Sequence, residues 1–532
     1  MERNAKSRSR FAAASLRSHT IRILGRDHDR RKNRAASGMI PLIVSAFVSI
    51  TASTTSQLPK GTPLHIRLTK AVGSYASTQG SPVSAVLIAP VTVDGKMVLP
   101  VGSTLSGTVK AVTRVGLGVR HEKAELDLEF NQITPWVEQP VPISAEVSEV
   151  DNARERVTRD GLIHGVRSTN SLCYRVSGYI REALQWEVHA AIATWAIRSL
   201  LLQVPEPEIY YPAGVELTLT LTQPLLAASR ETAHAVPQIT DDERGELTRL
   251  VAALPSRTQA PITGRESDLT NVLFLGSHDQ IAAAFAAAGW TPASPASLRH
   301  RIAWIRAVSE RRGDGSGPMS PLLLNGATPD MSWQKGLNDV SKRHHVRMWR
   351  EPGTWRGQEM WIAAATRDID FAYLRPGNTF THRIEQDVDR ERDKVAYDLA
   401  FTSCGNLLDW TNRADFPRSA RNATDDPMIT DGRIVAIGLN DCSEPRLSTE
   451  SADATPVAEH GGGLQRFTRR EILSARNDLL RTNRYWRAYE GSRWIVESIL
   501  RRKHPALGQE SLIDAPTSRL AQFARLAASR LQ

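Results

Sequence analysis

"YPAGVELTLTLTQPL", residues 211–225, decides how the first half of this chain is read. Leucine alternates with threonine along it, the period of a strand with one buried face. Residues 58–72, "LPKGTPLHIRLTKAV", say nearly the same thing more than a hundred positions earlier. Both stretches contain Pro-x-Gly, at Pro59–Gly61 and Pro212–Gly214, and a third copy falls at Pro100–Gly102. Pro presets one turn residue and Gly accepts positive φ, so each motif opens a strand from a tight turn. Between the two copies run "VSAVLIAPVTV" (83–93), "KMVLPVGSTLSGTVKAV" (96–112), "KAELDLEFNQI" (123–133) and "PVPISAEVSEV" (140–150). Five or six short strands at turn spacing predict an all-β barrel or sandwich over 58–228. A last strand that resembles the first suits closure, which removes an open sheet edge.

The segment 178–203, "GYIREALQWEVHAAIATWAIRSLLLQ", has a different period. Ile180, Leu184, Val188, Ala191, Trp195 and Leu202 share one helical face, which predicts an amphipathic helix inserted into the barrel. Glu187, His189 and Arg198 interrupt its apolar runs, unlike a conventional membrane span. The layout, with "VLPVGSTLSGTV", "AELDLEFNQI" and "YYPAGVELTLTLTQPL", resembles the C-terminal barrel of the TrbI-type conjugation proteins over about 58–228. The resemblance implies the barrel fold. In that family the barrel is part of an envelope-spanning secretion channel, and the helical excursion can reach the outer membrane.

A linker over 229–264 carries a short helix at 241–254, with Thr240 and Glu243 in capping-box spacing and Pro255 as its stop. Composition then changes, with six of the twelve tryptophans between 290 and 361. "SHDQIAAAFAAAGW" (277–290) reads as a helix capped by Ser277 and ended at Gly289, and "PASLRHRIAWIRAVSERR" as another. "RHHVRMWRE" (343–351), "QEMWIAAATRDIDFAYL" (358–374) and "DGRIVAIGL" (431–439) read as strands. "THRIEQDVDRERDKVAYDLAF" (381–401) reads as a helix with Ile384, Val388, Val395 and Leu399 facing inward. Helices on an antiparallel sheet make an α+β domain over 265–442. "NVLFLGSHDQIAAAFAAAGW", "RHHVRMWR", "EMWIAAATRDIDF", "HRIEQDVDRERD" and "DGRIVAIGL" resemble the C-terminal domain of LssY proteins, named for a component at a type I secretion locus. That resemblance implies envelope association and no established reaction. A polar linker (443–465) and a basic helical region (466–532) complete a multidomain chain.

The net charge of +10 is unevenly placed. Residues 1–38 hold eleven Arg/Lys against three acids, and the rest of the chain is nearly neutral. The overall charge is therefore no argument for a nucleic-acid surface, and none is expected as a partner. The leader, 1–56, places the basic cluster Arg30–Arg34 before the apolar run Met39–Ile50 and then Thr51, Ala52 and Ser53. This is the order of a secretory signal, and the alternative is a disordered tail entering a buried strand. An exported protein of the periplasm or cell envelope is the expectation. Cys404 and Cys442 are then disulfide candidates, closing a loop worth roughly 4 kcal/mol in the chain-entropy model. Residues 466–503 carry eleven basic and four acidic residues, with Tyr485, Trp486, Tyr489 and Trp494 interleaved. That pattern suits a membrane surface, through this segment or through 178–203, or single-stranded nucleic acid. The alternative is a helix that packs its aromatics on the preceding domain and leaves its arginines in water.

Hydrolase motifs are absent from the sequence. His460-Gly-Gly-Gly has no G-x-S-x-G beside it, "GDGSG" lacks the lysine of a phosphate loop, and no H-E-x-x-H occurs. One constellation remains. If 381–401 is a helix, His382, Glu385 and Asp389 share a face, with His344 and His345 on a nearby strand. His344, His382, Glu385 and Asp389 are the candidates for a divalent metal or an acid–base pair. Pairing of Arg390 and Arg392 with Asp387 and Asp389 is the structural alternative. Two functions follow: a non-catalytic envelope component that binds envelope or membrane proteins, without a cofactor, or a metal- or acid/base-dependent hydrolase.

Overall fold

The computed structural model describes residues 54–116, 123–135, 139–167, 207–231, 239–293, 298–310, 312–313, 319–374, 379–414 and 416–442. It adds individual positions between 464 and 492, all helical. The leader before 54, the segment 178–203 and the tail beyond 492 lie outside the described residues.

The repeated motif closes a barrel. Pro63–Leu68, Pro82–Leu87, Thr104–Thr113, Glu125–Thr134 and Val141–Val150 pair each with the next, antiparallel. Glu216–Leu221 then pairs with both Val141–Val150 and Pro63–Leu68, completing six strands. The two copies lie side by side and cap each other. Gly61 N–H donates to Leu221 O at 2.8 Å, and Gly214 N–H donates to Leu68 O at 2.8 Å. The third copy does the same on the next strand pair, Gly102 N–H donating to Leu87 O at 2.8 Å. All three glycines hold φ near +90°, at +92°, +88° and +94° in chain order. Thr62 N–H donates to Pro59 O, which makes Gly61 the third turn residue, where a type II turn demands positive φ. One local solution to ending a barrel strand is thus used three times. Inside, Leu64, Ile66 and Leu68 meet Leu217, Leu219 and Leu221, with Phe130 filling the middle. Each of these apolar side chains contributes roughly 1.5–3 kcal/mol on burial.

The second sheet has eight strands, seven of them in the order Thr291–Pro292, Met331–Lys335, Arg343–Trp355, Gln358–Leu374, Val272–Leu275, Arg433–Leu439, Gly405–Asn412, with Thr379–Ile384 paired to Gln358–Leu374 off this path. It is antiparallel except where Val272–Leu275 and Arg433–Leu439 run parallel. One face packs on helices His278–Ala287 and Val388–Phe401 through Phe274, Phe285, Val346, Val395 and Ile437. The other is covered by helix Asp241–Ala253, which inserts Leu247 and Val251 among Leu273, Ile362 and Ala436. Thr240 and Glu243 form the expected capping box, as do Ser277 and Gln280. Cys404 and Cys442 form a disulfide with Cα atoms 4.7 Å apart, tying the start of one edge strand to the end of its neighbour.

Two expectations need correction. Residues 381–401 are not one helix: Thr379–Ile384 is a strand paired with the distal half of Gln358–Leu374, and the helix starts at Val388. The β-formers Thr379, Phe380 and Thr381 extend the sheet, and the Asp387 side chain accepts from Asp389 N–H to cap the helix. Nor do the two described C-terminal arginines, Arg469 and Arg476, stay in water. Arg469 pairs with Glu208 and Arg476 bonds the Gly116 carbonyl, while Tyr485 is exposed.

Gly107 shows how tightly the barrel strands approach. A Cβ there would overlap the Glu129 carbonyl oxygen of the neighbouring strand. Gly107→Ala is expected to destabilise the chain by at least the roughly 1–3 kcal/mol of an overpacked core site, measured by urea denaturation; an unchanged midpoint would contradict this register.

Candidate functional site

The barrel and the sheet belong to one compact unit, Ser53–Gln532, and meet across a layer of charge. The barrel supplies the outward positions of its strands. His65 and Arg67 alternate with the inward Leu64, Ile66 and Leu68, and Glu216 and Thr218 alternate with Leu217 and Leu219. Register sets Arg67 opposite Glu216 and His65 opposite Thr218. Glu149 and Asp151 follow at the end of the adjacent strand. From the other side come His344 and Arg367, directly paired on neighbouring strands. Helix Val388–Phe401 adds Glu391, Lys394 and Asp398, whose spacing of three and four puts them on one face.

These groups form two adjoining knots. In the first, Arg67 lies 2.7 Å from Glu216 and 3.3 Å from Asp398, while Lys335 lies 2.7 Å and 2.9 Å from the same two carboxylates. Lys394 joins both acids, and the Trp290 indole N–H donates to Asp398 at 2.9 Å. Burial would push Glu216 up, yet Lys335, Lys394 and Arg67 hold it well below the usual carboxylate range. In the second knot His344 is clamped between two acids, Nε2 at 2.7 Å from Asp151 and Nδ1 at 2.6 Å from Glu391. Arg367 reaches Glu149 at 2.6 Å, Asp151 at 2.9 Å and Glu385 at 3.5 Å, and Arg390 also pairs with Glu385. Burial alone would lower His344, but Asp151 and Glu391 reverse this and hold its pKa at about 9. Asp151 is correspondingly depressed, whereas burial of Glu391 outweighs His344 and pushes that carboxyl up. Asp151 is therefore the main counter-charge of the imidazolium. A cleft of about 200 Å³, partly open to solvent, runs along this junction.

The four candidate residues do not converge. His344 sits in the junction, and Glu385 is held by Arg367 and Arg390. Asp389 faces away, accepting from Thr430 Oγ1 at 2.7 Å and pairing with Arg392 at 3.1 Å. His382, on a strand rather than a helix, lies across the sheet from His344. Its Nδ1 is 3.0 Å from Asp368 Oδ2, to which His345 Nε2 also comes within 3.3 Å. Burial drives His382 down to about 4 and pushes the Asp368 carboxyl up from its ordinary value. His344 and His345 are consecutive, and a strand sends consecutive side chains to opposite faces. Among the described residues no group of three His, Cys, Asp or Glu is placed to hold a metal ion. Sequence reading missed Arg67, Glu149, Asp151, Glu216, Lys335, Lys394 and Asp398. Charged residues at outward positions of two apolar-alternating strands, Arg67 and Glu216, were the available signal.

Because the His344 pKa is raised in the folded state, its contribution is complete below the ordinary histidine value of about 6.5 and is lost as pH rises through about 9. Wild-type unfolding free energy should fall over that interval more than that of His344→Gln. At pH 6, His344→Ala should cost roughly 3–5 kcal/mol, because buried Glu391 loses the imidazolium bonded to it and Asp151 is left with Arg367 alone of its two close cations. Equal pH slopes for the two proteins would show that the clamp contributes nothing.

Comparison with known proteins adds two findings. ComB10 of the Com type IV secretion system of Helicobacter pylori is similar over 32% of this chain and 88% of its own, at 8% identity and a TM-score of 0.19, a likeness too slight to carry a conclusion. No curated protein matches the chain. Residues 251–434, which include Arg343–Trp355, Gln358–Leu374 and most of the sheet described above, match the family model described as the LssY C-terminus.

Proposed function

We propose that this chain is an exported cell-envelope protein that acts as a non-catalytic binding or assembly component of a secretion or membrane complex. The observation that carries the reading is the state of the charged junction. Six cations, Arg67, Lys335, His344, Arg367, Arg390 and Lys394, meet six carboxylates, Glu149, Asp151, Glu216, Glu385, Glu391 and Asp398. Each acid is bonded to a cation, and the one histidine in the two knots is locked as an imidazolium between two of them. Such groups hold two bodies in a fixed orientation; a general base needs an uncommitted lone pair near neutral pKa. His382, driven down to about 4 by burial, is likewise far from the near-neutral value that general-base work requires.

The leader supports export, and the Cys404–Cys442 disulfide suits an oxidising compartment. The LssY-like segment and the TrbI-like barrel motifs support an envelope setting. Among the described residues no helix is long and apolar enough to cross a membrane. Cell fractionation tests the reading: wild type is expected in the envelope fraction, and Val44→Arg, which charges the apolar run of the leader, in the cytoplasm. Identical distribution of the two proteins would remove the export half of the proposal. Stoichiometric metal in the purified wild type, lost in His382→Ala, would replace the binding half with an enzyme.

A further inference from the structure

Val272–Leu275 and Arg433–Leu439 run parallel side by side, so the segments that lead into them arrive at the same end of the sheet. Each lead-in is a short hairpin: Arg257–Gln259 with Glu266–Leu269, and Ser419–Arg421 with Pro427–Ile429. Arg257 donates to the Arg421 carbonyl at 2.7 Å, and Arg265 pairs with Asp425 at 2.9 Å, which ties one hairpin to the other. Between them lies an open cleft of about 650 Å³, lined by Ser256, Arg257, Arg265, Glu266, Ser419, Arg421 and Asn422. It shares no residue with the cleft at the charged junction.

At the junction every carboxylate meets a cation. Here three guanidinium groups line the cleft with one carboxylate, Glu266, which stops 3.9 Å from Arg257 and is 69% exposed. Arg257 Nε is buried without a hydrogen-bond partner, and burial lowers the pKa of this guanidinium. Arg421 donates to the Asp425 backbone carbonyl at 2.6 Å, a neutral acceptor. Asn422 commits its side-chain oxygen to the N–H groups of Thr424 and Asp426 and to the Thr424 hydroxyl, which leaves its amide N–H groups to offer. Behind Ser256 stands a further cation. Arg413, 5% exposed, bonds the Leu254 carbonyl and the carbonyl and hydroxyl of Thr270, and packs over Phe416. No carboxylate among the described residues pairs with it, and burial presses its pKa down to about 10. A buried cation without a counter-charge is costly, and an anion in the cleft would offset that cost.

Charge selects the ligand. Four arginines, 257, 265, 413 and 421, stand against Glu266 and Asp425, an excess of two positive charges. Guanidinium forks match the oxygens of phosphate and carboxylate alike, but a phosphate monoester carries roughly −1.5 to −2 at pH 7 and fits the excess better than one carboxylate does. The cleft is wider than a lone ion needs, so the group would be carried on a larger molecule. We infer that the cleft between the two hairpins binds a phosphate group, held by Arg257, Arg265 and Arg421 with Asn422 as a neutral donor. The site is separate from the charged junction and needs no export, so its failure leaves the proposed function standing.

Titration of the purified full chain with sodium pyrophosphate, followed by calorimetry and by melting temperature, tests this. Wild type should release or absorb heat saturably and melt higher than in sodium chloride of equal ionic strength. The double variant Arg265→Gln, Arg421→Gln should lose on the order of tenfold or more in affinity. Its melting temperature without ligand should hold, since both side chains are exposed and a surface ion pair contributes little. Glu266→Gln, which removes the acid from the lining, should bind pyrophosphate more tightly. Lys110→Gln, an exposed cation on the barrel, should bind as wild type does. Flotation with phosphatidic acid vesicles, competed by pyrophosphate, would assign the phosphate to a lipid; pyrophosphate binding without flotation would assign it to a soluble molecule. Absence of any pyrophosphate effect beyond that of chloride would overturn the inference. So would equal affinity of the double variant and wild type, or tighter binding of succinate than of pyrophosphate.

Discussion

Glu216 and Asp398, two carboxylates taken out of water between a barrel and a sheet, dictate how the rest of this molecule is arranged. A buried carboxylate costs several kcal/mol to desolvate, and only close cations with satisfied hydrogen bonds offset that cost. Arg67 comes from the barrel, Lys335 from the sheet and Lys394 from the helix. The two acids are thus neutralised only when all three bodies are in place. The Trp290 N–H completes the coordination of Asp398. Sliding the sheet along the barrel by one strand position would leave two anions without partners. Apolar contacts tolerate such slips; these do not.

The second knot extends the same logic. His344 bridges Asp151 of the barrel and Glu391 of the helix through its two nitrogens, so one ring reports the separation of both bodies. Arg367, its neighbour across the strand pair, repeats the connection to Glu149 and Asp151. Well-packed apolar side chains of similar volume often match or exceed buried ion pairs in stability. What charge adds is a single permitted orientation. That orientation keeps the cleft along the junction.

Much of this was legible in the residues. The alternation in "VELTLTL" and "LHIRL", with the three Pro-x-Gly turns, implied a barrel whose ends resemble each other, and the reciprocal bonds of Gly61 and Gly214 are the reason. The capping boxes at Thr240 and Ser277 follow from side chains acting within four residues of their own backbone. The error at 381–401 has a physical source as well. "THRIEQDVDRERD" is polar enough for either state, and the deciding factor is the long strand Gln358–Leu374, which offers Thr379–Ile384 an edge to pair with. No property of the segment itself records that edge.

Local chemistry, then, determined the strands, turns, caps and the amphipathic stripes, because each depends on neighbours within one turn or one strand. The fate of the charged residues was decided by tertiary structure. His344 and His345 are adjacent in sequence, yet one is held protonated by Asp151, 193 residues away, and the other is buried uncharged on the far face. Arg67 and Asp398 are 331 residues apart and touch. A charge's state depends on the dielectric and the counter-charges around it, and those come from wherever the fold brings them.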